Sequence, residues 1–85
     1  MNRRLLLRRL VRGATRNVAF PDMVDLIEGF GFRLSRVRGS HHIFMHPGIP
    51  ELLNLQEVRG QAKPYQIGQF LRLVERHDLT LEEST

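Results

Sequence analysis

Apolar positions along this chain follow two periods, and each change of period marks a change of element. Near residue 20, apolar side chains recur three and four positions apart, at Met23, Leu26, Ile27 and Phe30. This spacing predicts a helix with one face in the core. Pro21 suits the first turn of that helix, and the glycines at 29 and 31 predict its end.

The same spacing returns near the end of the chain, where it is clearest. Pro64 is placed for a first helical turn, and the apolar positions that follow are Ile67, Phe70, Leu71 and Val74. They predict a second amphipathic helix. Thr80 and Glu83 form a capping-box pattern that predicts one more helical turn beyond it.

Between these helices the pattern alternates and is divided by turn residues. Residues 32–38 and 41–46 predict two strands joined by a tight turn at Gly39-Ser40, and residues 52–57 predict a third strand. The order α-β-β-β-α predicts an α+β fold. Its simplest packing is a three-stranded antiparallel sheet with two helices on one face, which leaves the other face free.

The first 16 residues differ in composition from the rest. They carry six arginines and no acid, while Leu5, Leu6 and Leu10 fit one side of a short helix. We expect a basic N-terminal arm outside the core over residues 1–16, a folded domain over 17–80 and a tail over 81–85.

Length and composition narrow the class of protein. A chain of 85 residues closes one hydrophobic core. It has no cysteine, which excludes disulfides, thiolate zinc sites and cysteine nucleophiles. The longest apolar run, Leu5 to Leu7, is far too short to span a membrane. We expect a cytoplasmic protein with no membrane association.

The net charge of +4 is unevenly distributed. Residues 1–50 hold nine arginines against three acids, whereas residues 51–85 hold four bases against six acids. Arginine's planar guanidinium binds phosphate through paired hydrogen bonds. A polyanion is therefore the favoured partner, although small basic proteins also use arginine simply for solubility.

The densest chemical signal lies at residues 36–46, where Arg36 and Arg38 precede three of the four histidines. Histidine exchanges protons near neutral pH, and arginines beside it could hold a phosphodiester. These two functions together meet the requirements of RNA cleavage by attack of the ribose 2′-hydroxyl, which needs no metal. Strand alternation places His41 on one face and His42 with His46 on the other. Ordinary half-exposed strand histidines are the competing interpretation, and the divergence of the rings argues against a metal site.

The motif Arg38-Gly39-Ser40-His41-His42-Ile43-Phe44 follows a helix that ends in Gly31-Phe32 and precedes a polar strand and an amphipathic helix. In this arrangement, residues 18–80 resemble the HicA family of mRNA-interferase toxins. The resemblance implies a double-stranded-RNA-binding-domain-like fold, cleavage of mRNA with no cofactor, and inhibition by a HicB-type antitoxin. It implies that His41 is the catalytic histidine.

The chain departs from the family pattern at the end of the third strand. Many members of the family have a second histidine there, and this chain has Glu57. Either Glu57 is a structural residue and His41 acts alone, or the two form an acid-base pair.

We expect the RNA-binding residues to be Arg36, Arg38, Gly39, Ser40, His42 and Lys63. Lys63 precedes the last helix, where free backbone N–H groups also favour phosphate, and a lysine that is simply solvated fits the position equally well. The alternative function is a non-catalytic RNA-binding module with the same fold. A third is an adaptor whose basic surface recruits an acidic protein.

Overall fold

The computed structural model describes residues 1–82, and within them the chain forms three helices and one four-stranded antiparallel sheet. The strands lie in chain order across the sheet. The elements are α1 (Arg3–Val11), α2 (Phe20–Gly29), β1 (Arg33–Arg38), β2 (His41–Met45), β3 (Leu53–Val58), β4 (Gln61–Ala62) and α3 (Pro64–Arg76).

The order α2-β1-β2-β3-α3 confirms the predicted α+β fold, with one additional strand. β4 has two residues and pairs with the end of β3. Arg59 and Gly60 form the turn between them, with φ of +53° and +76°. Positive φ at both central residues is the requirement of a type I′ turn, whose twist matches the strands. The sequence did not predict β4, because a strand of two residues shows no alternation of apolar and polar positions.

One face of the sheet forms the core. Phe44, Leu53 and Leu55 from the sheet are at most 1% exposed, as are Ile27 from α2 and Phe70 from α3. Phe30 and Phe70, which the sequence predicts on the core faces of their helices, are buried, and Phe44 joins them in the core. The amphipathic helices therefore cover one side of the sheet and leave the other side to solvent.

Helix α1 packs into this core, which corrects the expectation of an arm outside it. Leu6 and Leu10 are each 1% exposed. Asn2 caps the helix, since its Oδ1 accepts hydrogen bonds from the N–H groups of Arg4 and Leu5 at 2.8 and 3.2 Å. A nine-residue helix is marginal alone, and tertiary packing of its leucines stabilises it.

The segment after α3 runs without helix through residue 82. Leu79 and Leu81 are partly buried against the core, and the N–H of Glu82 donates to the carbonyl oxygen of Gly29 at 2.7 Å. The predicted capping box includes Glu83, which lies outside the described residues. No helix in the described part of the chain is long and apolar enough to cross a membrane.

The burial of α1 predicts a stability difference between neighbouring leucines. Leu6→Ala removes a fully buried side chain and should lower the free energy of unfolding by about 2–5 kcal/mol. Leu5→Ala is the matched control, because Leu5 is 53% exposed, and its effect should stay within about 0.5 kcal/mol. Urea denaturation measures both, and equal effects would contradict the packing of α1.

Candidate functional site

The turn between β1 and β2 places His41 at the start of β2. Arg38 pairs with His41, so Gly39 and Ser40 form a two-residue turn. Gly39 has φ of +58°, and a positive φ at the first central position is what a type II′ turn requires. The predicted hairpin is therefore present, and Gly39 is needed for its backbone conformation.

Cross-strand pairing shows which residues share a face with His41. His41 lies opposite Gln56, and Ile43 lies opposite Asn54. On the other face, His42 pairs with Leu55 and Phe44 with Leu53, both of them core leucines. We call the solvent-facing side the free face, and it carries Arg33, Arg36, Arg38, His41, Ile43, Met45, Asn54 and Gln56. The predicted separation of His41 from His42 is confirmed.

An irregularity in β1 adds an arginine to the free face. The register between β1 and β2 shifts between Leu34 and Arg36, leaving Ser35 as the extra residue of a β-bulge. Strict alternation would put Arg33 on the opposite face from Arg36 and Arg38. With the bulge, Arg33 pairs with Met45 and joins both on the free face.

The imidazole of His41 is half-buried, and one of its nitrogens contacts Asn54. Nδ1 lies 3.3 Å from Oδ1 and 3.2 Å from Nδ2 of the Asn54 amide. Nε2 has no hydrogen-bond partner among residues 1–82. The side-chain amide can accept from a protonated Nδ1 or donate to a bare one, so it can hold the ring while Nε2 faces outward.

Gln56 connects the hairpin turn to Lys63. Its Nε2 donates to the hydroxyl oxygen of Ser40 at 3.2 Å, and its Oε1 accepts from Nζ of Lys63 at 3.3 Å. The backbone N–H of Gln56 donates to Oε1 of the buried Gln66 at 2.6 Å. Strand β3, the turn and the start of α3 therefore meet around one side chain, and Lys63 is brought toward the free face.

Glu57 is not brought to His41. Alternation along β3 puts Glu57 on the same side as Leu55 and Leu53, and it pairs with the buried Ala62. Its side chain is exposed. The residue directly opposite His41 is Gln56, which cannot act as a general acid or base.

The remaining histidines have contacts that stabilise the fold. The ring of His42 packs on Phe20 at 4.6 Å between centroids, and its Nδ1 lies 3.2 Å from the carbonyl oxygen of Ser40. Nδ1 of His46 accepts from the N–H of Gly48 at 2.9 Å, so its Nε2 carries the hydrogen donated to the carbonyl of Phe30 at 3.0 Å. The contact with Phe20 thus holds His42 on the side of the hairpin opposite to His41.

His77 lies at the end of α3 and pairs with Glu51 at 3.0 Å. Hydrogen bonds from His77, the largest cause, and from Arg76 lower the pKa of the Glu51 carboxyl. These contacts join the end of α3 to the loop before β3, away from the free face. No group of three metal-ligating side chains occurs within residues 1–82.

Together these contacts define a small α+β protein with an arginine-lined sheet face and one outward-facing imidazole. The family of HicA toxins of bacterial toxin-antitoxin systems matches residues 20–75, about two thirds of the chain. The protein belongs to this family. It is therefore the toxin of a toxin-antitoxin pair, and an antitoxin is its partner. No curated protein and no solved structure matches the chain.

Two residues of this site were not identified from the sequence. Asn54 and Gln56 lie in the predicted third strand, but which of its residues oppose His41 depends on the length of the turn over residues 46–52. The polar positions alternating with Leu53 and Leu55 were the available signal. They predict a polar free face without indicating which side chain meets the imidazole.

The contact with Asn54 predicts a measurable change in the His41 ring. Asn54→Ala removes the protein partner of Nδ1, so the populations of the two neutral tautomers should shift. Ring 15N chemical shifts report the tautomer directly. His46, whose tautomer is set by two hydrogen bonds elsewhere, serves as the control within the same spectrum. Unchanged His41 shifts would show that Asn54 does not hold the ring.

Proposed function

We propose that this toxin is a metal-independent endoribonuclease that cleaves mRNA on the free face, with His41 as general acid and base. The observation that carries the proposal is the outward-facing Nε2 of His41 beside Arg36 and Arg38. A proton-transfer group next to two phosphate-binding side chains is what cleavage by a ribose hydroxyl needs.

In the proposed reaction, the 2′-hydroxyl attacks the adjacent phosphorus while Nε2 of His41 removes its proton. The bond from the 2′-oxygen to phosphorus forms, and the bond from phosphorus to the 5′-oxygen breaks. The leaving oxygen then receives a proton from the imidazolium. The products are a 2′,3′-cyclic phosphate and a 5′-hydroxyl, with atoms and charge balanced.

The contact with Asn54 is compatible with the role of His41 as the base, since either amide atom can meet Nδ1. The proposed reaction uses the arrangement in which Oδ1 accepts from Nδ1–H, which leaves the lone pair of the neutral ring on Nε2. The same oxygen continues to accept when the ring becomes protonated, so the imidazolium is formed without rearrangement. Asn54 therefore acts as a positioning residue through the ring that it contacts.

Phosphate binding is proposed for the cations around the imidazole. Arg36 and Arg38 are exposed on the edge strand beside β2, and Lys63 approaches from α3 through Gln56. Their positive charges would stabilise the charge that accumulates on phosphorus oxygens during attack. Gly39 and Ser40 let the backbone at the turn approach the phosphate. His42 is left with a supporting role beneath the turn.

The HicB-type antitoxin is proposed to cover the same face. The arginines there favour an acidic partner, and Met45, which is 48% exposed, together with Ile43 offers apolar area beside them. A protein bound at this position would bury Nε2 of His41 and neutralise the arginines in one step. Coexpression with the antitoxin should therefore relieve growth arrest caused by the toxin.

A non-catalytic RNA-binding module is the second candidate. The observation that favours it is the row of Arg33, Arg36 and Arg38, which can bind a phosphate backbone without any use of His41. The two functions are distinguished by the effect of removing the imidazole. A nuclease loses RNA cleavage, whereas a binding module has no cleavage that depends on His41.

The His41→Ala variant should lower the rate of RNA cleavage by about 10²–10⁴-fold, the usual contribution of general acid-base catalysis. Affinity for RNA should change only a few-fold, because the arginines remain. His77→Ala is the control, since it removes a histidine remote from the free face. Gel analysis of cleaved RNA and filter binding measure the two quantities. Equal cleavage by wild type and His41→Ala would leave the binding module as the function.

The arginines of β1 predict that the affinity for RNA depends on salt concentration, independently of catalysis. In the His41→Ala background, Arg36→Gln and Arg38→Gln should each make the dependence of log affinity on log salt shallower by about 1. Arg72→Gln, on the exposed side of α3, is the matched control and should leave the slope unchanged for a short single-stranded RNA. A slope insensitive to Arg36 and Arg38 would exclude phosphate contacts there.

A further inference from the structure

The two edges of the sheet differ in whether another segment covers them. β4 forms one edge, and the segment before α2 closes it. The N–H of Ala62 donates to the carbonyl oxygen of Val18 at 3.0 Å, and the N–H of Phe20 donates to that of Gly60 at 2.8 Å. β1 forms the other edge, and all six of its residues are exposed. No strand or bridge within residues 1–82 pairs with its outer side, which we call the open edge.

The pairing of β1 with β2 decides which backbone groups point toward the open edge. Arg38 and His41 enclose a two-residue turn, so they form a hydrogen-bonded pair. Along an antiparallel ladder such pairs alternate with pairs that exchange no hydrogen bonds, and Val37 with His42 is the next pair. The N–H and C=O of Val37 therefore point away from β2, where a strand added to the sheet would meet them.

Two apolar side chains lie along the open edge. Leu34 and Val37 pair with Phe44 and His42, which puts them on the helix side of the sheet, yet they are 48% and 49% exposed. The helices bury the residues of β2 and β3 on this side and leave the margin at β1 uncovered. A strand added beside β1 would place its own side chains next to these two and remove apolar area from water.

The other face of the same edge is positively charged. Arg33, Arg36 and Arg38 are exposed there, and none of them forms an ion pair within residues 1–82. Pairing two copies of β1 would bring the arginines of both copies together on one face, and like charges on opposed strands destabilise a sheet. The bulge at Ser35 also interrupts the regular ladder that two copies would share. The open edge therefore suits an acidic partner rather than a second copy.

We propose that the open edge binds a β-strand of the antitoxin in which acidic and apolar residues alternate. The acids would lie on the free face beside the arginines of β1, and the apolar residues would lie beside Leu34 and Val37. The backbone of the added strand would pair with Val37, beyond the bulge. In strand addition, main-chain hydrogen bonds give affinity and alternate side chains give specificity. The antitoxin is the protein partner that membership of the family provides.

Strand addition requires something of the partner that coverage of the free face does not. Coverage depends on side chains, whereas an added strand also needs its backbone N–H groups. The proposal rests on the proposed function in taking the arginine side of the sheet as the surface of the antitoxin, and it does not require catalysis. Binding is therefore measured without RNA. Failure of the proposed nuclease would be seen separately, as the absence of cleavage by wild type.

The first test uses the His41→Ala chain and capped peptides in which glutamate alternates with valine. In the proposed pairing a valine lies opposite Val37, so the valine amides face β1 and the glutamate amides face away. N-methylation of the valine amides should weaken binding about tenfold, because hydrogen bonds are lost. N-methylation of the glutamate amides should change it little. NMR titration measures these affinities, and the largest shift changes should centre on Val37.

Two results of the peptide titration would overturn the proposal. Equal affinities of the two methylated peptides would show that no backbone pairing occurs. Equal binding of a peptide with lysine in place of glutamate would show that the arginines do not select the partner.

The second test changes the toxin. Val37→Pro removes the outward N–H and keeps the hydrogen bonds of β1 with β2, since proline is accepted on an edge strand where the N–H faces solvent. It should abolish binding of the unmethylated peptide, whereas Val37→Ala, the matched control, should weaken it only a few-fold. Circular dichroism checks that the proline variant is folded, and the methylated peptides give their result without it.

Unchanged peptide binding by a folded Val37→Pro variant would contradict strand addition. Sedimentation of the toxin alone tests the other occupant. A dimer that dissociates on the Val37→Pro substitution would assign the open edge to a second copy of the chain and overturn the proposal.

Discussion

The pairing of β2 with both of its neighbours is the constraint on which the site depends. Because side chains alternate along a strand, one pairing register decides whether His41 points to solvent or to the core. The two-residue turn at Gly39-Ser40 sets the register on one side, and the pairing of Phe44 with Leu53 sets it on the other. Burial of Phe44 makes any slip by one residue costly, since it would exchange a core phenylalanine for Ile43 and bury His41.

The same register creates the surroundings of the imidazole. Asn54 and Gln56 reach the free face because Leu53 and Leu55 must reach the core, so the hydrophobic requirement on one side determines the polar set on the other. The bulge at Ser35 has a similar double effect. It keeps Leu34 and Val37 on one side of the sheet and gathers three arginines on the opposite side. Leu34 and Val37 are themselves half exposed, so the bulge shapes the proposed phosphate surface, whereas core packing follows from the register of β2 with β3.

Helix α1 extends this division of roles to the N-terminal segment. Arginine serves there as a structural group, through the ion pair of Arg3 with Asp25, and as exposed charge, at Arg8 and Arg12. Burial of the leucines supplies the stabilising free energy that a short, highly charged helix lacks on its own. A segment whose composition predicted a basic extension is therefore a packed part of the fold.

The sequence by itself determined the fold class, the two amphipathic helices, the hairpin at Gly39-Ser40 and the opposite faces of His41 and His42. These features follow from local periodicity and from the residue types at turns, both of which are determined by residues that are close together in the sequence. Tertiary structure alone decided that α1 packs in the core, that Arg33 joins the free face, and that Gln56 rather than Glu57 lies opposite His41. Each of these depends on where distant segments meet: the leucines of α1 need a groove between helices, and a bulge or a strand register is set by the partner strand, whose position no local pattern records.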